Sequence, residues 1–199
     1  MRLGLDFDNT LISYDRLFHR VALDKGLILE DILKQKNAVR DSMRERGIED
    51  EWTRLQGEVY GGRILEAVPY PGMLQTLKLL ADKEVPMCIV SHKTRNPYIG
   101  QPWDLHAAAR SWLQKHGFLD PNGMAWLDGQ IFFELTKQEK IARILDLECT
   151  HYVDDLPEIL AMLPNHVERI LFAPSQDVQG HPDWRRMSSW QELPSILGL

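Results

Sequence analysis

Short apolar runs alternate with amphipathic segments along most of the chain, and this alternation limits the fold more than any other feature. After a first run at residues 3–5 come MCIVS, QIFFEL, THYVD and RILFAP, with helical patterns between them. Short runs with little polar content are typical of strands buried on both faces, as in parallel sheets. Strands that alternate with helices predict an α/β fold with a doubly wound parallel sheet.

Residues 14–67 follow a different pattern. Their apolar residues recur at three- and four-residue spacings, which predicts helices and no strand. We therefore expect an α/β core of residues 1–13 and 68–199 and a small α-helical insertion of residues 14–67. A length of 199 residues suits one domain with such an insertion.

Composition and charge narrow the classes of partner. A formal net charge of −6 argues against nucleic acid, which favours a basic face, so a small solute is the expected partner. The chain has no apolar run of about 18 residues and no secretory apolar core at its start, so we expect no membrane contact and a cytoplasmic location. Cys88 and Cys149 lack CxxC spacing, which favours buried, reduced thiols.

Polar residues end three of the predicted strands. Asp6 and Asp8 follow the first strand in LGLDFDNTL, Ser91 ends MCIVS, and Asp154 and Asp155 end HYVDD. Ligands of doubly wound sheets bind beyond the carboxyl ends of the strands, so these side chains are expected at one edge of the sheet. If the first strand stays extended, its two acids point the same way, and such close like charges require a cation or a proton-transfer role.

A lysine near the start of one helix is expected to add a positive charge at this edge. Lys137 and Lys140 both lie early in the segment KQEKIARILDL. Lys137 is preferred because it lies nearer the loop that faces the strand ends, and Lys140 is the alternative. For both lysines, the competing interpretation is an ordinary charge on a solvated helix face.

Four segments carry a family resemblance. DFDNTL, IVSHKT, TKQEK and YVDDLPE resemble, in this order, the four motifs of the haloacid dehalogenase (HAD) superfamily. The resemblance runs from residue 6 to residue 158, and Asp-x-Asp-x-Thr after an N-terminal strand is its most specific part. It implies a HAD-like Rossmannoid core, with residues 14–67 as a helical cap that excludes water and contacts substrate.

The resemblance also implies a role for each acid. Asp6 would be the nucleophile and Asp8 the general acid and base. Mg²⁺ would be held by Asp6, by the backbone carbonyl of Asp8 and by Asp154, with Asp155 supporting the metal directly or through water. A hard cation with oxygen ligands suits this set, because it offsets the charge of a carboxylate that attacks a phosphoryl group.

The substrate phosphate would be bound by side chains and backbone groups together. The resemblance assigns this role to Ser91 and Lys137, and backbone N–H groups near Phe7 and Asp8 would add hydrogen bonds. His92 is a further candidate, because the polar loop HKTRNPYIGQPWD that it begins is longer than a simple turn and is expected to face substrate. A solvated loop is the competing interpretation for His92 and for Lys93 beside it.

The function that follows is a magnesium-dependent phosphohydrolase. It would act on a small phosphorylated metabolite through an aspartyl-phosphate intermediate. Two alternatives remain open from the sequence: a phosphomutase or phosphotransferase with the same carboxylates, and a noncatalytic phosphate-binding regulatory module. The sequence indicates neither the physiological substrate nor an oligomeric state.

Overall fold

A computed structural model of the chain describes residues 1–121, 123–175, 178 and 181–199. These residues form two compact units. We call the first the α/β unit; it comprises Met1–Ile12, Pro69–Lys93 and Leu119–Leu199. The second, the helical unit, comprises Ser13–Val68 and Thr94–Phe118.

The described residues include eight strands. These are β1 (Leu3–Leu5), β2 (Ile12–Ser13), β3 (Val68–Pro69), β4 (Met87–His92), β5 (Ile131–Glu134), β6 (His151–Asp154), β7 (Glu168–Phe172) and β8 (Arg185–Met187). Six of them form one parallel sheet in the order β5-β4-β1-β6-β7-β8, while β2 and β3 form a separate two-stranded sheet. The predicted α/β fold with a doubly wound parallel sheet is confirmed.

Helices connect most of the strands. They are α1 (Asp15–Asp24), α2 (Lys36–Glu45), α3 (Glu49–Tyr60), α4 (Met73–Asp82), α5 (Leu105–Lys115), α6 (Lys137–Asp146), α7 (Pro157–Met162) and α8 (Leu193–Ile196). Short 3₁₀ helices cover Ile64–Glu66, Asp128–Gln130 and Trp190–Glu192. No helix in the described part of the chain is both long and apolar enough to cross a membrane.

The strand order reverses at β1, in the middle of the sheet. Leu5 pairs with Ile89 of β4 on one side and with Val153 of β6 on the other. The chain extends the sheet through β4 and β5, then returns to the other side of β1 as β6. Such a reversal opens a crevice at the carboxyl ends of the central strands, where α/β proteins bind ligands.

An apolar core lies between the sheet and two of its helices. α6 packs against β4 and β5, and α7 packs against β6 and β7. Val90, Ile144, Tyr152, Leu160 and Leu171 are fully buried members of this core. Burial of each such side chain contributes roughly 1.5–3 kcal/mol, so the packing holds α6 firmly beside β4.

The helical unit has an aromatic core. Phe18 of α1 stacks on Trp52 of α3 at 5.0 Å, and Tyr14 meets Tyr60 edge to face at 4.8 Å between ring centroids. Trp112 of α5 is fully buried, and its Nε1 donates a hydrogen bond to the carbonyl of Ala67 at 2.9 Å. These contacts stay within the unit.

The grouping of residues differs from the predicted division at one segment. The sequence places 94–118 in the core of residues 1–13 and 68–199, whereas the contacts join 94–118 to the helical insertion of residues 14–67. Trp112 of α5 is buried within the helical unit. The amphipathic pattern of α5 indicates that this helix packs, but it does not identify the unit on which it packs. The cap function of residues 14–67 stays a prediction.

Two further features bear on the sequence analysis. The strand β8 was not expected, because only Met187 of its three residues is buried and no apolar run marks it. Cys88 and Cys149 are buried and free, as expected, and their Sγ atoms lie 3.6 Å apart.

Candidate active site

Asp6 lies directly after β1, at the point where the strand order reverses. Its backbone N–H donates to the carbonyl of Val153 at 2.9 Å, which continues the pairing with β6 by one residue. Its Oδ1 accepts a hydrogen bond from Ser91 Oγ at 2.8 Å and one from Lys140 Nζ at 2.7 Å, and its Oδ2 accepts one from Thr10 Oγ1 at 3.2 Å. The carboxylate is buried and held from three sides.

The lysine beside Asp6 is Lys140, not the preferred Lys137. The Nζ of Lys140 also lies 2.6 Å from Oδ2 of Asp154, and its side chain is 2% exposed. Lys137 instead pairs with Glu158 at 2.9 Å and is 39% exposed. Helix geometry explains this correction: side chains lean toward the helix N-terminus, so a lysine one turn into α6 reaches back to the sheet edge.

Asp154, the last residue of β6, is completely buried. Its Oδ1 accepts the backbone N–H of Leu156 at 2.9 Å. The pKa of the Asp154 carboxyl is raised to about 7 overall: burial raises it most, the Lys140 ammonium lowers it, and Asp6 raises it further. Burial alone would lower the pKa of Lys140, but Asp154 and Asp6 outweigh it and raise this pKa.

Three acids at this edge form a set with the chemistry of a metal site. Asp6, Asp154 and Asp155 each offer a carboxylate oxygen within 4.8 Å of the others. Lys140 contacts two of these three acids, Asp6 and Asp154. Hard divalent cations such as Mg²⁺ prefer carboxylate oxygens, and the residues present fit such an ion.

The Asp8 carboxylate has a different cation as its partner, and a turn follows it. The backbone of Asn9 has a φ of 58°, and the N–H groups of Leu11 and Ile12 both point at the carbonyl of Phe7. The extended chain therefore ends at this turn, and the group of three close acids comprises Asp6, Asp154 and Asp155. Its two oxygens lie 2.9 Å and 2.8 Å from the Nζ of Lys93.

Strand alternation explains which residues of β4 face the site. Ser91 and Lys93 are two residues apart and point the same way, while His92 between them points elsewhere. The His92 ring lies with Nε2 3.1 Å from the carbonyl of Leu135, away from the acids. The geometry thus brings Ser91 to Asp6 and Lys93 to Asp8, and it gives His92 a contact outside the candidate site.

Phe7 separates the two acids of the first motif. Its ring is fully buried and meets Phe133 of β5 edge to face, with the centroids 5.7 Å apart. The buried ring anchors the start of the turn. The backbone is then the part of Phe7 that is available for a phosphate role.

The chain is similar in sequence and in structure to several known proteins. No family model matches the chain. A protein of Oceanobacillus iheyensis named "Putative nucleotidase" is 24% identical over 203 residues, which cover 97% of this chain and 97% of that protein. Among solved structures, a Geobacter sulfurreducens protein described as a HAD-superfamily hydrolase of subfamily IA is 14% identical with a TM-score of 0.60, covering 99% of this chain and 96% of that one. A predicted phosphoglycolate phosphatase from Haemophilus somnus is 15% identical with a TM-score of 0.60, covering 98% and 97%.

The chain has the HAD fold. The resemblance that its four motifs carry is thereby confirmed at the level of the fold. The likeness spans almost the whole of this chain and of each compared chain, so both compact units belong to the shared architecture. Within this HAD fold, Asp6 of the first motif meets Asp154 and Asp155 of the last motif at the carboxyl edge of the sheet.

Sequence reasoning underrated three residues of this site. Lys140 is the alternative to Lys137, a solvated loop is the competing interpretation for Lys93, and Thr10 is identified only as the threonine of the Asp-x-Asp-x-Thr motif. The alternation of side chains along a strand could have indicated Lys93, because it lies two residues after Ser91 and therefore points the same way. No comparable signal distinguishes Lys140, since its contact depends on how α6 packs.

Proposed function

We propose that the protein is a magnesium-dependent phosphohydrolase that cleaves small phosphate monoesters, with nucleoside monophosphates as the first candidates. The names of the compared proteins support a hydrolase of the phosphatase type, and the name "Putative nucleotidase" suggests the nucleotide class. The observation that carries the proposal is the position of Asp6, whose carboxylate Ser91 and Lys140 fix beside Asp154 and Asp155.

Asp6 would open the reaction as the nucleophile. One of its carboxylate oxygens forms a bond to phosphorus while the bond between phosphorus and the ester oxygen breaks. Asp8, two residues on, would donate a proton to the leaving oxygen, which departs as an alcohol. Hydrogen bonds from Ser91 and Lys140 orient the attacking carboxylate and bring positive charge to the transferred group.

Asp8 would then serve the second half of the reaction. As a carboxylate it accepts a proton from water, whose oxygen attacks phosphorus and releases inorganic phosphate with the Asp6 carboxylate restored. Asp6, Asp154 and Asp155 are the side chains that would hold Mg²⁺, together with the Asp8 carbonyl. When bound, the ion would supply positive charge that offsets the carboxylates and the phosphate.

The test is release of inorganic phosphate from a panel of nucleoside monophosphates and sugar phosphates, with magnesium and with a chelator. The wild-type protein is expected to act only with magnesium, and Asp6→Asn to be inactive. Asp8→Asn should slow each proton-transfer step by roughly 10²–10⁴-fold. Activity that survives in Asp6→Asn would reject the aspartyl-phosphate route. Transfer of phosphate to an added alcohol in place of water would instead indicate a phosphotransferase.

The intermediate can be trapped directly. Acid-quenched Asp8→Asn protein, incubated with magnesium and an aryl phosphate carrying labelled phosphorus, should carry the label on Asp6. An aryl leaving group needs no protonation, so the intermediate forms, but water is no longer activated to remove it. Label on Ser91 or His92 would contradict the proposal.

A further inference from the structure

Lys93 is a buried ammonium whose partner is Asp8. Its side chain is 3% exposed, whereas that of Asp8 is 21% exposed. Desolvating an ammonium costs several kcal/mol, and a contact with both carboxylate oxygens is what offsets that cost here. The ammonium of the pair is thus buried, and its carboxylate is partly exposed.

Both ends of Lys93 are fixed. Its backbone N–H donates to the carbonyl of Glu134 at 2.8 Å, so the pairing of β4 with β5 extends past the last residue of β4. Its Nζ lies 5.6 Å from the centroid of the Phe7 ring, within the range of a cation–π contact. A side chain held by a strand at one end and by an ion pair and a ring at the other has little freedom to move.

The backbone of Asp8 is held by a turn, and its carboxylate is contacted by Lys93. The turn after Phe7, with the N–H groups of Thr10, Leu11 and Ile12 directed at one carbonyl, fixes the backbone of Asp8. The ammonium of Lys93 contacts both oxygens of the Asp8 side chain, at 2.9 Å and 2.8 Å. A proton-transfer group must lie within hydrogen-bond reach of its target, so its orientation affects the rate directly.

We infer that Lys93 is the positioning residue of the general acid and base: it holds the Asp8 carboxylate in the orientation that proton transfer requires. This inference rests on the proposed function. It divides the two buried lysines between the two acids of the first motif, with Lys140 on the nucleophile Asp6 and Lys93 on Asp8.

The experiment compares two substrates whose leaving groups differ in their need for a proton. The leaving group of a nucleoside monophosphate is a nucleoside alkoxide, which needs a proton from the acid, whereas the acidic phenol of an aryl phosphate leaves without one. The value of kcat/KM reports the steps up to formation of the phosphorylated enzyme, and kcat reports its hydrolysis as well. Lys93→Met should lower kcat/KM for the nucleoside monophosphate at least about tenfold and change kcat/KM for the aryl phosphate by less than about twofold.

Hydrolysis of the intermediate provides a second reading. With the aryl phosphate, Lys93→Met should lower kcat and accumulate label on Asp6, because water activation also needs a correctly oriented Asp8. In the double variant of Lys93→Met with Asp8→Asn, activity should fall no further than in Asp8→Asn alone, since residues that act as a unit are not additive. Lys93→Gln, which keeps one neutral donor, should lie between wild type and Lys93→Met.

An exposed lysine of the α/β unit provides the control variant. Lys78→Met, on the exposed side of α4, should behave as wild type. Equal losses of kcat/KM for both substrates in Lys93→Met and in Lys93→Gln would overturn the inference and assign Lys93 a phosphate-binding or purely structural role. The proposed function fails separately, through activity in Asp6→Asn, so the two failures are distinguishable.

Discussion

The α/β unit and the helical unit use charge in opposite ways. In the α/β unit, Lys140 lies 2.6 Å from Asp154 with both side chains at most 2% exposed. In the helical unit, Lys25 lies 2.9 Å from Glu58 with the two side chains 46% and 32% exposed. The first arrangement pays a large desolvation cost and the second almost none.

The two units also differ in the contacts that stabilise them. The helical unit obtains its stability from apolar and aromatic packing, such as Phe18 on Trp52, and keeps its charges in water. The α/β unit has an apolar core of its own, yet it also buries charges at the carboxyl edge of its sheet. Replacing buried ion pairs by apolar residues is often neutral or stabilising, so stability alone does not explain the buried charges. The chemistry proposed for this edge would explain them.

Removal of the buried cation of the α/β unit is expected to have the largest effect on stability. Lys140→Met would leave Asp6 and Asp154 without their ammonium, and the free energy of unfolding should fall by about 3–5 kcal/mol. Urea denaturation at neutral pH measures this loss. Lys137→Met, one turn earlier on α6 and exposed, is the matched control and should change it by about 0–1 kcal/mol. If the two variants lost the same amount, burial of the cluster would have no special cost.

A smaller loss is expected from the apolar core of the helical unit. Leu55 of α3 is 1% exposed, and Leu55→Ala should cost about 2–5 kcal/mol through lost burial and a cavity. The loss should be the same at low and high salt, because no charge is involved. A marked dependence on salt would show that electrostatic contacts, and not packing, hold this unit together.

The smallest effect is expected for a surface pair of the same unit. Lys25→Gln removes the contact with Glu58 and should change the free energy of unfolding by about 0–1 kcal/mol. Added salt should reduce even this difference, since exposed charges are screened. The same urea titration at two salt concentrations checks it. A loss as large as that of Lys140→Met would erase the contrast between the units.

The fold was largely predictable from the sequence because buried parallel strands leave a strong signal. The runs around Leu5, Val90, Phe132, Tyr152 and Leu171 are all strands of the sheet. A strand with one buried side chain, such as β8, leaves no such signal. The association of α5 with the helical insertion was not predictable either, since the pattern of an amphipathic helix shows that it packs but not on what.

The candidate site was predictable where it depends on strand ends and not where it depends on packing. Asp6, Ser91 and Asp154 meet because adjacent parallel strands end at one edge. The choice between Lys137 and Lys140 depends on the direction in which helical side chains lean and on the placement of α6. The catalytic and metal-binding roles of these residues, and the magnesium ion itself, stay predictions that the experiments above address.

The position of Lys140 also bears on whether folding depends on a metal ion. Metal ligands that consist of acids alone repel one another until an ion arrives, which couples folding to the supply of that ion. Here an ammonium of the chain already lies between Asp6 and Asp154. On the proposed function, we expect the α/β unit to fold without a divalent ion, so a chelator should yield an inactive protein that is still folded.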